Sequence, residues 1–219
     1  MLMTLLFEEL FSCPICDTKF MSKVLGVYNT FGPRYSDLYT CSEENPQPIL
    51  HQIHLCPKCG FGGYKSNFQN FTFEIDEVKE CIKKVEILTE KNVTEFNVGD
   101  GFLEIAYYQQ NTLEEQALLK LQASYAYREL KDSNVVLARR LVIKDIEQIL
   151  EQQSFRENPK EMYLYLIGEL HRLLENQEEA QHYFEQILTE ENNNSYFAFL
   201  AKKQLNHPEK IVPKKAPPT

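Results

Sequence analysis

The chain has 219 residues, of which 43% are hydrophobic and 25% are charged, and this composition is typical of a folded protein with a substantial core. Its formal net charge of −9 is concentrated in residues 76–206, which carry 24 acidic and 15 basic residues. Phosphate binding needs clustered Lys and Arg side chains, so this acidic region argues against non-specific binding to nucleic acid or to anionic membranes.

The N-terminus is apolar from Met1 to Phe7 but is followed at once by Glu8 and Glu9. The apolar run is short and has no basic flank, so it does not resemble a secretory signal peptide. The two carboxylates would also oppose its insertion as a lipoprotein anchor. Since no later stretch reaches the roughly 20 apolar residues of a membrane helix, we expect a cytoplasmic protein without a membrane association.

Residues 1–75 form the first predicted domain, a small module rich in turn-forming and aromatic residues. Two Cys-Pro-x-Cys sequences occur in it, one from Cys13 to Cys16 and one from Cys56 to Cys59. Alternating apolar residues predict short strands at 19–27 and 49–55, each next to one of these sequences. The pattern predicts a zinc-ribbon-like module.

Four cysteines are the predicted metal ligands: Cys13, Cys16, Cys56 and Cys59. In a reducing compartment, paired Cys-x-x-Cys sequences favour metal binding over structural disulfides. Two such turns supply four thiolates, which fill the tetrahedral shell that Zn²⁺ prefers, so we predict one structural zinc ion per chain. An iron site with the same ligands is the minor alternative. Four unligated cysteines and a redox-active dithiol are less favoured.

The residues that follow the two cysteine pairs support this interpretation. Gly60 follows the second pair and can adopt a left-handed backbone conformation. Asp17 occupies the equivalent place after the first pair and tolerates that conformation less well than glycine but better than most residues. That conformation lets main-chain N–H groups turn toward the sulfur atoms.

Three further residues between the cysteine pairs are weaker ligand candidates, namely Cys41, His51 and His54. Because four cysteines already complete the shell, these three are predicted to be packing or surface residues. Cys81 lies on the apolar stripe of a predicted helix, where a buried free thiol is expected.

Residues 76–206 form the second predicted domain, in which apolar residues recur at helical spacing. The pattern predicts seven helices, at residues 76–90, 101–110, 112–131, 133–152, 159–175, 177–190 and 195–205. Together with the first domain, this predicts an α+β fold that is mostly α. Residues 207–219 contain four prolines and three lysines and are predicted to be a disordered tail.

The fifth and sixth predicted helices carry a repeat-like pattern. Gly168 and Ala180 alternate with large residues at the spacing of a tetratricopeptide helix pair, although His171 and Ile187 replace the usual Tyr and Ala. Small residues at these positions let two antiparallel helices approach closely. The second domain is therefore predicted to consist of tetratricopeptide-like antiparallel helix pairs.

Several segments carry a family resemblance: Cys13-Pro-Ile-Cys-Asp-Thr-Lys-Phe20, Arg34-Tyr-Ser-Asp37 to Tyr39, Leu55-Cys-Pro-Lys-Cys-Gly-Phe61 with Phe68, and Leu164-Tyr-Leu-Ile-Gly-Glu-Leu-His-Arg172 with Glu179-Ala180. In these segments the chain resembles an uncharacterised bacterial family catalogued as domain of unknown function 2225. The resemblance covers most of the chain. It implies a cytoplasmic zinc-ribbon protein with tetratricopeptide-like helices, and it implies no particular activity.

The function that the sequence favours is a non-enzymatic adaptor, in which the helix pairs bind a protein or a peptide. The sequence lacks the catalytic spacings of known hydrolases, and a four-thiolate zinc shell leaves no open position for water. An acidic groove would select basic segments. The chain's own tail, with Lys210, Lys214 and Lys215, is the nearest candidate ligand.

Two alternative functions remain open. Nucleic-acid binding through the metal module would use aromatic and basic side chains, namely Tyr28, Phe31, Tyr35, Tyr39, Arg34 and Lys58. Such aromatic residues more often form the small core of a module of this kind. An enzyme with its site at the junction of the two domains would use Arg34, Asp37, His51 and His54.

Overall fold

The computed structural model describes residues 4–153, 155, 159–189 and 195–215. The strands in this part of the chain are β1 (Leu6–Ser12), β2 (Lys19–Leu25), β3 (Arg34–Tyr35), β4 (His54–Leu55), β5 (Gly62–Gly63) and β6 (Ile211–Val212). The helices are α1 (Lys65–Gln69), α2 (Ile75–Thr89), α3 (Val98–Ala106), α4 (Leu113–Leu130), α5 (Val135–Gln152), α6 (Lys160–Leu173), α7 (Gln177–Thr189) and α8 (Tyr196–Asn206).

The predicted α+β class, mostly α, is confirmed. Helices α2 to α8 agree with the seven predicted helices to within a few residues, whereas α1 was not predicted. The helix starts follow the expected capping chemistry. The Thr112 hydroxyl accepts a hydrogen bond from the Glu115 N–H at 3.3 Å, and the Glu115 carboxylate accepts one from the Thr112 N–H at 2.7 Å.

The strand predictions were correct only in part. β2 confirms the strand predicted at 19–27, but residues 48–51 form a 3-10 turn and only His54–Leu55 of the second prediction is a strand. Proline stands at the first position of that turn, where its fixed φ favours a helical start. β1 was not predicted, because its apolar residues occur in adjacent pairs around Glu8 and Glu9 and do not alternate.

The chain divides into two compact units. Unit 1 comprises Met1–Asn29 and Glu44–Leu141, and unit 2 comprises Thr30–Glu43 and Val142–Thr219. The predicted boundary at residue 75 differs from this division, because α3 packs against β4 and β5 within unit 1. α5 begins in unit 1 and ends in unit 2.

Unit 2 has a core formed by α6, α7, α8 and one residue of β6. Its buried side chains are Leu164, Tyr165, Ala180, Phe184, Ile187, Ala198, Leu200, Ala201 and Val212. β6 pairs with β3 in antiparallel register, with Arg34 opposite Val212 and Tyr35 opposite Ile211. No helix among the described residues has both the length and the apolarity of a membrane span.

The prediction of a disordered tail was wrong for the described residues 207–215. β6 pairs with β3, and Val212 is only 3% exposed. The tail is ordered because two β-branched residues, Ile211 and Val212, lie between the flanking lysines and prolines that suggested disorder. Residues 216–219 lie outside the described part of the chain.

The close helix approach predicted at Gly168 is present between α6 and α7. A Cβ atom at this position would lie 2.8 Å from a ring carbon of Phe184 and 3.3 Å from the Ala180 carbonyl oxygen. We therefore expect Gly168→Leu to lower the free energy of unfolding by about 1–3 kcal/mol, because overpacking forces the helices apart. Thermal unfolding measures this effect, and Gln181→Leu on the exposed face of α7 is the size-matched control. An unchanged melting temperature for Gly168→Leu would contradict the packing.

Candidate metal centre

Each Cys-x-x-Cys sequence forms the turn of an antiparallel ribbon in unit 1. Cys13 follows β1 and Cys16 precedes β2, and the same arrangement places Cys56 after β4 and Cys59 before β5. We call residues 13–18 the first knuckle and residues 56–61 the second knuckle. Both turns present two thiols from the end of a hairpin.

The backbone hydrogen bonds of the two knuckles are equivalent. In the first knuckle, the Cys13 N–H donates to the Thr18 carbonyl at 2.9 Å and the Asp17 N–H donates to the Cys13 carbonyl at 3.0 Å. In the second knuckle, the Cys56 N–H donates to the Phe61 carbonyl at 2.9 Å and the Gly60 N–H donates to the Cys56 carbonyl at 3.0 Å. The two turns therefore hold their thiols in the same way.

The left-handed backbone conformations predicted after both cysteine pairs are confirmed. The φ angle is 58° at Asp17 and 80° at Gly60. Residue 60 must be glycine for a further reason, because a Cβ atom at this position would lie 2.9 Å from the Val93 side chain.

The structure brings the four predicted ligands together. The Sγ atoms of Cys13, Cys16, Cys56 and Cys59 all lie within 4.8 Å of one another. Two separations across the knuckles are short, 3.5 Å from Cys13 to Cys59 and 3.6 Å from Cys16 to Cys56. A tetrahedron with metal–sulfur bonds of about 2.3 Å has sulfur atoms about 3.8 Å apart, so the arrangement fits a single ion. A disulfide would need about 2.05 Å.

The thiols differ in how readily they ionise in the metal-free chain. Burial raises the pKa of Cys13 to about 11 and raises the pKa of Cys59 further. Burial also acts on Cys16, but hydrogen bonds with the side chain and main chain of Thr18 outweigh it and lower the pKa of Cys16 to about 6. The Cys16 thiolate is thus favoured near neutral pH, whereas Cys13 and Cys59 lose their protons as a metal binds.

A cluster of aromatic rings forms the core behind the knuckles. Phe11 lies 5.7 Å from Phe20 and 5.3 Å from Phe68, and Phe61 lies 5.0 Å from Phe68 between ring centroids. These rings come from β1, β2, α1 and the second knuckle, so they join both cysteine hairpins.

The aromatic residues expected to form this core do not do so. Tyr28 and Phe31 are exposed, and Tyr35 and Tyr39 stack on each other in unit 2. Arg34 also belongs to unit 2, where its guanidinium donates to the Tyr196 hydroxyl at 3.3 Å. The sequence pattern could not distinguish these aromatic residues from the four phenylalanines of the core, because both sets lie in the same turn-rich region, residues 1–75.

The weaker ligand candidates have other contacts. His54 is buried, with its ring centroid 4.4 Å from that of Phe11 and its Nδ1 hydrogen-bonded to the Ser22 hydroxyl at 2.9 Å. Burial lowers the pKa of His54 to about 4. Cys41 belongs to unit 2, and its Sγ lies 3.3 Å from the Pro33 carbonyl oxygen.

Cys81 is a buried thiol of α2, as predicted, and burial raises its pKa to about 12. Within the described residues, no second group of three or more His, Cys, Asp or Glu side chains has a metal-binding arrangement.

A shallow groove of about 580 Å³ lies beside the exposed side of the cysteine cluster. Cys16, Cys59, Lys79 and Lys83 are among its lining residues. The two lysines are one turn apart on α2. Glu86 also lines the groove, and the Lys79 ammonium group lies 3.4 Å from the Asp76 carboxylate, so the groove is bordered by charges of both signs.

A buried carboxyl group that the sequence did not indicate supports the second knuckle. Glu104 of α3 accepts a hydrogen bond from the Gly62 N–H at 2.8 Å and one from the Tyr108 hydroxyl at 2.9 Å. Burial raises its pKa well above the usual value. Glu104 thereby ties β5, which directly follows the second knuckle, to a fully buried helix.

The four residues of the hypothetical junction site do not belong to one unit. His51 and His54 are in unit 1, whereas Arg34 and Asp37 are in unit 2. Asp37 is instead buried near an ion pair in which Arg172 donates to both carboxylate oxygens of Glu169, at 2.6 and 2.8 Å.

Within unit 2, a hydrogen bond near this ion pair joins two of the segments that carry the family resemblance. The Tyr165 hydroxyl donates to the Ser36 carbonyl at 2.9 Å, which connects α6 to the segment after β3. Asp37 follows Ser36, and Glu169 lies one helical turn after Tyr165.

The paired cysteine hairpins and the helices around them define a ribbon-type four-cysteine metal-binding module within a mainly helical chain. Residues 6–207 match the family model described as uncharacterised protein conserved in bacteria (DUF2225), and the chain belongs to this family. No curated protein and no solved structure matches the chain.

Proposed function

We propose that the chain is a non-enzymatic protein-interaction protein in which Cys13, Cys16, Cys56 and Cys59 hold one structural zinc ion. The observation that carries this proposal is that the metal-binding turn also forms the end of a hairpin with an exposed apolar face. The metal would fix the geometry of that hairpin, and the hairpin would contact a partner protein.

The role of the zinc follows from its four ligands. Thiolates are the ligands that Zn²⁺ prefers in structural sites, and four of them complete its tetrahedral shell. A substrate or a water molecule would then have no coordination position at the metal. The aromatic rings of Phe11, Phe20, Phe61 and Phe68 pack behind this shell, so the ion and a small apolar core support each other.

The side chains of the β1–β2 hairpin that alternate with the inward-pointing Phe11 and Phe20 form its outer face. They are Leu6, Glu8, Leu10, Ser12, Lys19, Met21, Lys23 and Leu25. Leu10 and Met21 are directly opposite each other and are 66% and 57% exposed. Exposed apolar pairs of this kind on a rigid hairpin are typical of protein-binding surfaces.

The charges of the outer face indicate the chemistry of the partner. Glu8 lies opposite Lys23 on one side of the apolar pair Leu10 and Met21, and Lys19 lies on the other side, so charges of both signs border the pair. A complementary surface would have an apolar centre with a charge of each sign beside it. This pattern suits a protein and does not suit the uniformly negative backbone of a nucleic acid.

The test is a double substitution on the outer face, Leu10→Glu with Met21→Glu. We expect the tagged wild-type chain to capture a protein that, once purified, forms a complex with it, and we expect the double variant to weaken that complex by about tenfold or more. Ile87→Glu is the matched control, since Ile87 is 70% exposed on α2 and lies outside the hairpin. Zinc content should be unchanged in both variants.

Other outcomes would contradict the proposal. A complex that tolerates the double substitution would show that the outer face is not the interaction surface. A reversible dimer that the double substitution abolishes would identify the partner as a second copy of the chain. Nanomolar binding of DNA or RNA at physiological salt, or turnover of a small molecule that His51→Ala abolishes, would replace the proposal with one of the alternative functions.

A further inference from the structure

The ordered tail lies on unit 2 in the way that a bound peptide lies on a receptor. Main-chain hydrogen bonds run along its length: β6 pairs with β3, and the Ser36 N–H donates to the Lys210 carbonyl at 2.8 Å. Strand addition of this kind is a common mode of peptide recognition, in which main-chain bonds give affinity and pockets for alternate side chains give specificity.

A buried glutamine forms two hydrogen bonds with the main chain at the start of this segment. The Gln204 amide nitrogen donates to the Glu209 carbonyl at 2.9 Å, and the Gln204 amide oxygen accepts from the Glu209 N–H at 2.9 Å. Both bonds go to the backbone, so this contact fixes the position of the segment. The Glu209 carboxylate also forms an ion pair with the Lys203 ammonium group at 3.0 Å.

Only one side of the segment enters the core. Val212 is 3% exposed and belongs to the core cluster of unit 2, whereas its neighbour Ile211 is 42% exposed. After Val212, the Tyr196 hydroxyl donates to the Pro213 carbonyl at 2.6 Å, and the Lys214 ammonium group donates to the Thr30 carbonyl at 2.7 Å. The pocket for Val212 and the contact of the Lys214 ammonium group therefore define the recognised side chains, while residue 213 is held through its main-chain carbonyl.

The surface and its occupant differ in their relation to the family. Every residue that binds the segment lies within residues 6–207, the region that the family model matches, and the segment itself lies beyond it. The surface thus belongs to the region that the family model matches, whereas the segment lies outside the match.

We propose that this surface of unit 2 is a peptide-binding site, which the chain's own tail fills in cis and which accepts in trans an extended segment of a partner protein. The partner segment would carry a β-branched residue with a lysine two positions after it. This second site shares with the proposed function only the class of partner, and it uses none of the contacts of the metal centre or the hairpin.

The short connection between α8 and the tail explains why the tail, and not a partner segment, fills the site in the intact chain. The helix α8 ends at Asn206 and the first clamped residue is Glu209, so the tail is held next to its site by a very short linker. Short tethers give effective concentrations in the millimolar range, so a free peptide competes poorly with the attached tail.

The experiment uses a chain truncated after His207 and a fluorescent peptide with the sequence of residues 208–219. We expect the truncated chain to bind this peptide, and the intact chain to bind it at least about tenfold more weakly, because its own tail competes. A peptide with Val212→Asp should bind about tenfold or more weakly, since a buried side chain is lost. The matched peptide with Ile211→Asp should stay within about twofold.

A second variant covers the case in which truncation prevents folding. In the intact chain, Val212→Asp should release the tail and allow the wild-type peptide to bind in trans. A folded truncated chain that fails to bind the peptide, or that binds the Val212→Asp peptide equally well, would overturn the proposal. Loss of cooperative unfolding in both variants would also overturn it, because the tail would then be a permanent part of the core.

Discussion

Replacement of Cys16 or Cys56 by Ser is expected to abolish stoichiometric zinc binding and to unfold the ribbons of the metal module. A serine hydroxyl is a poor ligand for Zn²⁺, and the remaining thiols cannot complete the shell. Structural zinc contributes on the order of 10 kcal/mol to small modules. The loss should therefore exceed that of any single packing change in the chain. Elemental analysis measures the metal, and chemical denaturation measures the stability.

The matched controls for this experiment are the other two cysteines. Cys41→Ser and Cys81→Ser should retain one zinc ion per chain, because neither thiol belongs to the cluster of four. Cys81→Ser should lower stability somewhat, since it introduces a hydroxyl at a buried position. Iron in the purified protein, or metal loss on Cys41→Ser with retention on Cys16→Ser, would contradict the assignment.

The parts of the structure that the sequence predicted well are those that depend on local spacing. A Cys-x-x-Cys turn positions its own two thiols, so Cys13, Cys16, Cys56 and Cys59 could be grouped without knowing the fold. Helices could be placed for the same reason, because an apolar residue every three to four positions reports one buried face. The left-handed conformation at Gly60 also follows from the turn itself.

The parts that could not be predicted depend on contacts distant in sequence. Phe11 and Phe68 are 57 positions apart, and nothing in either neighbourhood shows that their rings meet. Val212 pairs with Arg34, which lies near the other end of the chain. Nothing near Val212 in the sequence indicates this partner, so the composition of the tail alone suggested disorder. For the same reason the division into units was missed, because residues 30–43 belong to the unit formed by the C-terminal helices.

Burial of an acidic residue was the other feature beyond prediction. Acidic residues on a helix are usually exposed, so a glutamate at position 104 suggests a solvated face. The partners that make its burial tolerable, Gly62 and Tyr108, include a residue 42 positions away. No single-sequence pattern identifies such a partner.

Glu104→Leu is expected to lower the free energy of unfolding by about 2–4 kcal/mol, because it leaves the Gly62 N–H and the Tyr108 hydroxyl buried without an acceptor. The matched variant is Glu104→Gln, whose amide oxygen still accepts from Gly62 and whose amide nitrogen donates to the Tyr108 oxygen. Its effect should stay within about 1 kcal/mol near neutral pH. Urea denaturation of the zinc-loaded chain measures both effects.

The pH dependence distinguishes a buried carboxyl group from a purely geometric contact. Burial raises the pKa of Glu104 in the folded chain, whereas the unfolded chain loses the same proton near the usual value of 4.5. The folded state therefore binds more protons between these two pKa values, and this group's contribution to stability falls as the pH rises through that window. Relative to Glu104→Gln, the wild-type chain should lose up to about 1.4 kcal/mol per pH unit as the pH rises above the unfolded-state value of 4.5 toward the raised pKa of the folded chain. A difference between the two chains that stays constant over this range, or an intact stability in Glu104→Leu, would show that Glu104 does not anchor the second knuckle.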